Sequence, residues 1–291
     1  MQQNAQSLTP WLAKLSAINI INPIDQLTVI DIGYSQTCFK VKANGDYYFA
    51  KYCDEASEAH ERERTTAECA NNAGIAPKIL YADQHWLISE FINGKNLLHS
   101  PFNLQQKSLC ALNLMGRFHR LSASVEALDI EQAVHALLTE STFSLDQKAE
   151  LYFIAATLKA QIMVHADFLC HGDVSFANIM FDKQAWLVDF ECSCLADAEY
   201  DLAMYIAINN LSLTQLPFFI QMYQNKAVEK VTIDSQKVKR YLAFCYLING
   251  LWFLCKSNAS KEQVIKQQAA VQLKHFDALQ LSRFQTLSLM R

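Results

Sequence analysis

The sequence predicts an α+β chain in two lobes: a five-stranded antiparallel sheet with one long helix inserted, then a larger and mainly helical region. Three observations carry this. Up to Phe91, short runs rich in aromatic and β-branched residues alternate with turn signals. From Leu104 onward, apolar residues recur at helical spacing. Asn93-Gly94-Lys95 separates the two regimes, so the expected division is 1–92, a linker at 93–97, and 98–291.

Taken in order, Thr9-Pro10-Trp11 predicts a helix start with Thr9 as N-cap, running to about Asn19. Leu27–Ile32 and Cys38–Val41 read as strands flanking a turn at Gly33-Tyr34-Ser35-Gln36-Thr37. Asn44-Gly45 is a hairpin signal, and Tyr47–Tyr52 the third strand, carrying Lys51. Asp54–Ala73 is predicted helical, with acidic residues in its first turns where the helix dipole favours them and Gly74 as its C-cap. Lys78–Tyr81 and Trp86–Phe91 complete the sheet. Leu104–Leu121 places Leu109, Leu112, Met115 and Phe118 on one helical face. Two helices are expected between Ile130 and Val164, and a short hairpin at Ile179–Phe181 and Ala185–Val188. A helical tail follows over Tyr200–Asn209, Leu216–Tyr223, Ser235–Lys256 and Lys261–Leu281.

Composition narrows the function classes. The 291 residues are 51% hydrophobic and 19% charged, enough apolar content for a sizeable core. A net charge of -4 gives no basic footprint for nucleic acid. The polar Met1–Pro10 segment has no secretory pattern. The longest apolar run, Tyr241–Cys255, is broken by Asn249 and Gly250, so a buried helix is expected rather than a membrane span. Nine cysteines without an export signal point to reduced thiols in a cytoplasmic protein. Cys192-Ser193-Cys194, with Cys170 nearby, lacks the paired spacing of a zinc site. The oligomeric state is not encoded in any recognisable pattern.

The segment His171–Asp189 carries the chemistry. Asp173 is followed five residues later by Asn178, and Asp189 ends the apolar run Leu187-Val188. Kinase-like folds arrange phosphoryl transfer in this way. Asp173 is then the base that orients an acceptor hydroxyl. Asn178 and Asp189 supply the hard oxygens that Mg2+ prefers, and His171 braces the loop. Lys51 is placed to reach the phosphates of ATP if a carboxylate holds it. Glu63 is the candidate partner on its spacing to Pro77, with Glu58 and Glu61 as runners-up, against the plainer reading of all three as a solvated helix face. Backbone N–H groups from Gly33 to Thr37, with the Ser35 and Thr37 hydroxyls, would cover the phosphates.

The residues His171-Gly172-Asp173 and Asn178, then Leu187–Glu191, then Tyr200-Asp201-Leu202-Ala203, resemble the aminoglycoside phosphotransferase and choline kinase superfamily. In that family Asp-Phe-Glu or Asp-Trp-Glu stands where protein kinases have Asp-Phe-Gly. Gly74-Ile75-Ala76-Pro77, Ser89–Gly94 and Phe118-His119 extend the likeness over most of the chain, which looks closest to the bacterial choline kinase and thiamine kinase branch. The resemblance implies a bilobal protein-kinase-like fold. It implies adenine against backbone groups near Glu90 to Ile92, Asp201 bracing the catalytic loop, and an ordinary single-glycine phosphate loop.

The acceptor is expected to be small, because eleven residues between Asp189 and Asp201 leave no room for a peptide-docking segment. It is expected to be cationic. No Lys or Arg occurs between Lys183 and Lys226, where Asp189, Glu191, Asp197, Glu199 and Asp201 cluster. Glu191 is therefore a candidate substrate contact. Tyr205, Tyr223, Tyr241, Tyr246, Trp252 and Phe253 are candidate cation–π faces, of which four are expected to be core. Trp252 leads because the family places a Trp on a comparable late helix, and Tyr205, one turn after Asp201, is second. Choline, a related amino alcohol or thiamine is the expected acceptor. An aminoglycoside, or a catalytically silent nucleotide-binding module of the same fold, is the alternative.

Overall fold

A computed structural model describes residues 8–30, 36–54, 57–226, 231–256, 262–279 and 286–290. Helix α1 (Thr9–Ser16) precedes strands β1 (Ile24–Ile30), β2 (Thr37–Ala43) and β3 (Asp46–Tyr52). Helix α2 (Glu58–Asn72) follows, then β4 (Ile79–Ala82) and β5 (Trp86–Glu90). These five strands form one antiparallel sheet in the order β1-β2-β3-β5-β4. The sheet with one helix after its third strand is the arrangement the sequence predicts.

The β2–β3 hairpin closes through Asn44 and Gly45, both at positive φ (53° and 86°), which matches the right-handed twist of the strands. Side chains alternate across the sheet. One face sends Phe39, Val41, Ala43, Ala50, Trp86 and Ile88 into a small core closed by α1 through Leu15 and Trp11. Register places Cys38 opposite Lys51 and Lys40 opposite Phe49, on the other face. The small core therefore fixes where Lys51 points.

Several boundaries differ from expectation. Thr9 is the first helical residue rather than the cap; Leu8 occupies that position without a side-chain bond, and the helix ends at Ser16. Thr37 lies in β2, not in a turn. α2 starts at Glu58 because Ser57 Oγ accepts the His60 amide, giving a cap that Asp54 does not supply.

The helical region contains α3 (Leu104–Phe118), α4 (Ile130–Glu140), α5 (Leu145–Ile162), α6 (Ala198–Ile208), α7 (Leu216–Lys226), α8 (Ser235–Lys256) and α9 (Glu262–Ala278). Leu112, Met115 and Phe118 of α3 are fully buried as predicted, but Leu109 is exposed. It sits at the margin of the apolar stripe, where helical periodicity discriminates least. Every residue of α6 from Ala198 to Ala207 is buried, so α6 is the central helix, apolar on all sides save the few polar groups it aims inward. α8 has the predicted bounds and buries Tyr241 to Leu247, as a core helix should. No helix among the described residues is long and apolar enough to cross a membrane.

Five short strands complete the fold. β6 (Lys95–Asn96) pairs with β8 (Ile179–Phe181), which forms the predicted hairpin with β9 (Ala185–Leu187). β7 (Phe168–Cys170) pairs with β10 (Cys194–Ala196). β6, β7 and β10 were not expected, since two or three residues cannot display an alternation. The β7–β10 and β8–β9 pairs frame a loop, residues 171–178, at the edge of the larger core.

Candidate active site

Lys51 is buried, and its Nζ lies 2.8 Å from Glu63 Oε1, 2.8 Å from Asp189 Oδ1 and 3.4 Å from Glu191 Oε2. α2 carries Glu63 inward because Thr66, Ala67 and Ala70 share its buried face. Glu58 and Glu61 are exposed on the opposite side, with Glu61 facing Arg64, so solvation claims them and not Glu63. Burial acts to lower the Lys51 pKa, but the three carboxylates outweigh it and hold the ammonium well above its ordinary value. Burial pushes the Glu63 carboxyl up to about 7, Lys51 pulling it down and Asp189 and Glu191 adding to the rise. Neighbouring Arg62 donates from Nε to the Glu191 carbonyl at 2.9 Å, so α2 holds the backbone after Asp189 directly.

The 171–178 loop is held by its backbone. Asp201, fully buried on α6, accepts the amides of His171 and Gly172, both at 2.8 Å. Its Oδ2 also meets His119 Nε2 at 2.9 Å, and His119 Nδ1 meets the Tyr223 hydroxyl at 2.7 Å. Burial would raise the Asp201 pKa; these donors outweigh it and the group is held below the ordinary carboxylate value. His171 is buried beneath the loop, where Nδ1 accepts the Asp173 amide and Nε2 donates to the Val188 carbonyl at 3.1 Å. Burial lowers its pKa, and both ring nitrogens are engaged by backbone groups, so the side chain ties the loop to Val188.

Gly172 has φ +76°, and a Cβ there would lie 2.4 Å from the Cys192 carbonyl oxygen. Gly172→Ala is therefore expected to displace the loop, costing more than about 1 kcal/mol of stability together with activity. Thermal unfolding measures this, and an unchanged midpoint would contradict it.

Asp173 presents its two oxygens differently. Oδ2 accepts from Asn178 Nδ2 at 2.8 Å, while Oδ1 is buried with no hydrogen-bond partner. Burial, with Asp189 as the next contributor, pushes this carboxyl up to about 7. Asn178 turns its NH2 toward Asp173, so its amide oxygen takes no part in that pair. Asp189 sits at φ +67° just beyond β9. Ligand oxygens of Glu63, Asp189 and Glu191 lie within 4.8 Å of one another. Glu63 Oε2 is a second buried, unpartnered acceptor. An excess of oxygen acceptors around one ammonium fits a hard divalent cation such as Mg2+, and hard oxygens rather than thiolates form the donor set.

Gly33 and Ser35 lie outside the described residues. Thr37 is half-buried at the start of β2. The Glu90 amide donates to the Lys78 carbonyl and the Phe91 amide to Tyr47, so the sheet uses both before the chain reaches Ile92. Tyr205 is not at a pocket surface: it is fully buried, its hydroxyl bonds Ser108 Oγ at 2.7 Å, and its ring packs on Phe176 and Phe219. Tyr223, Tyr241 and Tyr246 are also buried, which makes four of the six aromatics core. Trp252 is half-buried, with Phe253 against its ring and Lys256 Nζ 6.0 Å from its centroid; none of its described contacts reaches Asp173.

The acidic stretch is largely spent inside the protein. Asp197 pairs with Lys237 at 2.8 Å and accepts the Tyr241 hydroxyl, and Glu199 accepts the Asp234 amide. Both are buried, so the negative potential expected from five acidic residues narrows to Asp189 and Glu191. Cys170 and Cys194 face each other across β7–β10 as buried thiols whose pKa burial raises. His119, Asn209 and Arg62 were given no role in the sequence reading. For His119 a signal existed, a polar residue ending an apolar helix face; for the others there was none.

A family model described as "Phosphotransferase enzyme family" matches residues 26–231. No curated protein matches the sequence. Among solved structures, the Plasmodium vivax ethanolamine kinase superposes with a TM-score of 0.70 at 18% identity, over 95% of this chain and 91% of that one. The Streptococcus pneumoniae choline kinase LicA gives 0.70 at 17% identity, and a structure of LicA in complex with AMP gives 0.71 at 16%, each over 92% of this chain and 98% of the other. An AMP-bound spectinomycin phosphotransferase gives 0.58 at 14% identity, over 93% and 95%.

Proposed function

Since the chain belongs to the phosphotransferase enzyme family, we propose that it transfers the γ-phosphoryl group of ATP to a hydroxyl of a small cationic metabolite, an amino alcohol of the choline or ethanolamine kind. The observation that carries this is the divided state of Asp173, one oxygen held by Asn178 and the other buried and unpartnered beside Asp189. A hydroxyl arriving at Oδ1 supplies the missing donor. Asp173 orients it and takes its proton as the new O–P bond forms and ADP leaves. A carboxylate with a pKa near 7 suits that role, because it accepts a proton at neutral pH without holding it too weakly.

Lys51, fixed by Glu63, offers its ammonium to the nucleotide phosphates. Asn178 and Asp189 would hold Mg2+, whose contribution when bound is to neutralise phosphate charge. Residues 1–92 form the nucleotide-binding lobe in this reading, with adenine against the chain near Glu90 and Ile92, and residues 98–291 supply the catalytic loop and the acceptor site. Neighbours with AMP bound support the nucleotide assignment, and those named for choline and ethanolamine support the acceptor class. Glu191, half-buried and paired with Lys51 at 3.4 Å, is the carboxylate assigned to a cationic acceptor in this reading, with Trp252, ahead of the likewise half-buried Phe253, as the aromatic candidate.

The test is ADP release from Mg-ATP with choline, ethanolamine, thiamine and kanamycin offered separately. Stimulation by choline or ethanolamine, abolished by Asp173→Asn, is expected. Stimulation by kanamycin alone would move the acceptor class to aminoglycosides. Nucleotide binding indifferent to Mg2+, with no turnover of any acceptor, would leave a silent module.

A further inference from the structure

Helix α6 grips the 171–178 loop twice, eight residues apart in sequence. Asp201 takes the amides before Asp173, and Asn209, the C-cap of the same helix, takes the chain after it. Asn209 Oδ1 accepts the Phe176 amide at 2.7 Å, and its Nδ2 donates to the Val174 carbonyl at 3.0 Å. The second Nδ2 hydrogen goes to the Tyr205 carbonyl at 2.8 Å, one turn back on α6. One orientation of the side-chain amide satisfies all three bonds, and only an amide carries both kinds of group at that length.

Building on the proposed phosphotransferase reading, we propose that Asn209 is a positioning residue: it fixes the backbone of residues 174–176 and, through it, the directions of Asp173 and Asn178. The connection is continuous. Ser175, between the two gripped residues, donates its amide to the Asp173 carbonyl at 2.8 Å and accepts the Asn178 amide at 3.1 Å. Asn178 in turn holds Asp173 Oδ2. The Phe176 carbonyl accepts the Leu98 amide and its ring packs on Tyr205, so the segment has no slack on its far side. Losing the Asn209 bonds frees the loop just after the reacting carboxylate while leaving Lys51, Glu63 and Asp189 in place.

The experiment compares the parent chain with Asn209→Ala and Asn209→Asp. It reads steady-state kinetics, thermal midpoint and hydrogen exchange of peptides covering 173–178. Asn209→Ala is expected to raise exchange in that segment and lower kcat by about 10–10²-fold, with the KM for ATP within about twofold. Asn209→Asp is expected to do worse than Ala, since it turns a carboxylate oxygen toward the Val174 and Tyr205 carbonyls. An unchanged kcat on folded protein, or loss that only follows the unfolded fraction, overturns the proposal. If the parent chain turns over no acceptor, the functional reading is what fails. The exchange measurement then decides by itself, and unaltered protection at 174–176 overturns the holding role.

Discussion

Asp173→Asn is expected to lower phosphoryl transfer by about 10²–10⁴-fold while leaving Mg-ATP binding and the fold in place. Asn preserves the shape and the contact with Asn178 but cannot take a proton. The same change should also alter the pH dependence of stability, with a definite sign. The folded-state pKa of Asp173 is raised to about 7, mainly by burial. Between the ordinary carboxylate pKa and that value the native state binds a proton the unfolded chain does not. The stability this group contributes is therefore complete below the ordinary carboxylate pKa and is lost as pH rises through about 7. Glu63, raised to about 7 as well, acts in the same direction. Asp173→Asn should thus melt higher than the parent at pH 8, with the advantage shrinking toward pH 4 or so. Thermal unfolding across that range without nucleotide or metal measures it. Parallel curves for the two proteins would mean that Asp173 is not strained by burial, and the catalytic pKa argument would fall with it.

Lys51→Met is expected to cost both activity and about 3–5 kcal/mol of stability, the penalty of removing one partner from a buried ion pair. Glu63 is 1% exposed and would be left with Asp189 and Glu191 as its charged neighbours. The double variant Lys51→Met with Glu63→Gln should recover much of the stability, because the orphaned charge is gone, and none of the activity, because no ammonium reaches the phosphates. Chemical denaturation and ADP release on the three proteins separate the two effects. A double variant no more stable than Lys51→Met would show that the pair does not act as a unit.

The candidate site was legible where it is local. Asp173, Asn178 and Asp189 lie within one loop and one hairpin, so their sequence spacing is nearly their spatial arrangement, and the turn residues 182–184 mark the reversal. The sheet was legible for the same reason, since Asn44-Gly45 fixes a hairpin register from two residues. Legibility ended where the site is held by partners far along the chain. His119 meets Asp201 from another helix, Arg62 meets the Glu191 carbonyl from α2, and Asn209 reaches back to residues 174 and 176.

Counting charges misled in an instructive way. Five acidic residues without an intervening cation suggested a strongly negative acceptor face. Lys237 and the Asp234 amide, both supplied by a later part of the chain, consume Asp197 and Glu199 inside the core. Tyr205 misled similarly. One helical turn from Asp201 is close to the site along the chain, but α6 buries that ring against Phe176 and Phe219 and spends its hydroxyl on Ser108.

The order of the elements, the sheet with its inserted helix, and the carboxylates and amide of the candidate site were already readable along the chain, because hydrophobic periodicity, turn chemistry and short loops act over a few residues. Folding was needed to select the glutamate that pairs with Lys51, the acids that are consumed inside the core, and the partners that hold the loop around Asp173. Those outcomes turn on desolvation and on hydrogen-bond donors brought from distant segments, and neither quantity exists until the chain has folded.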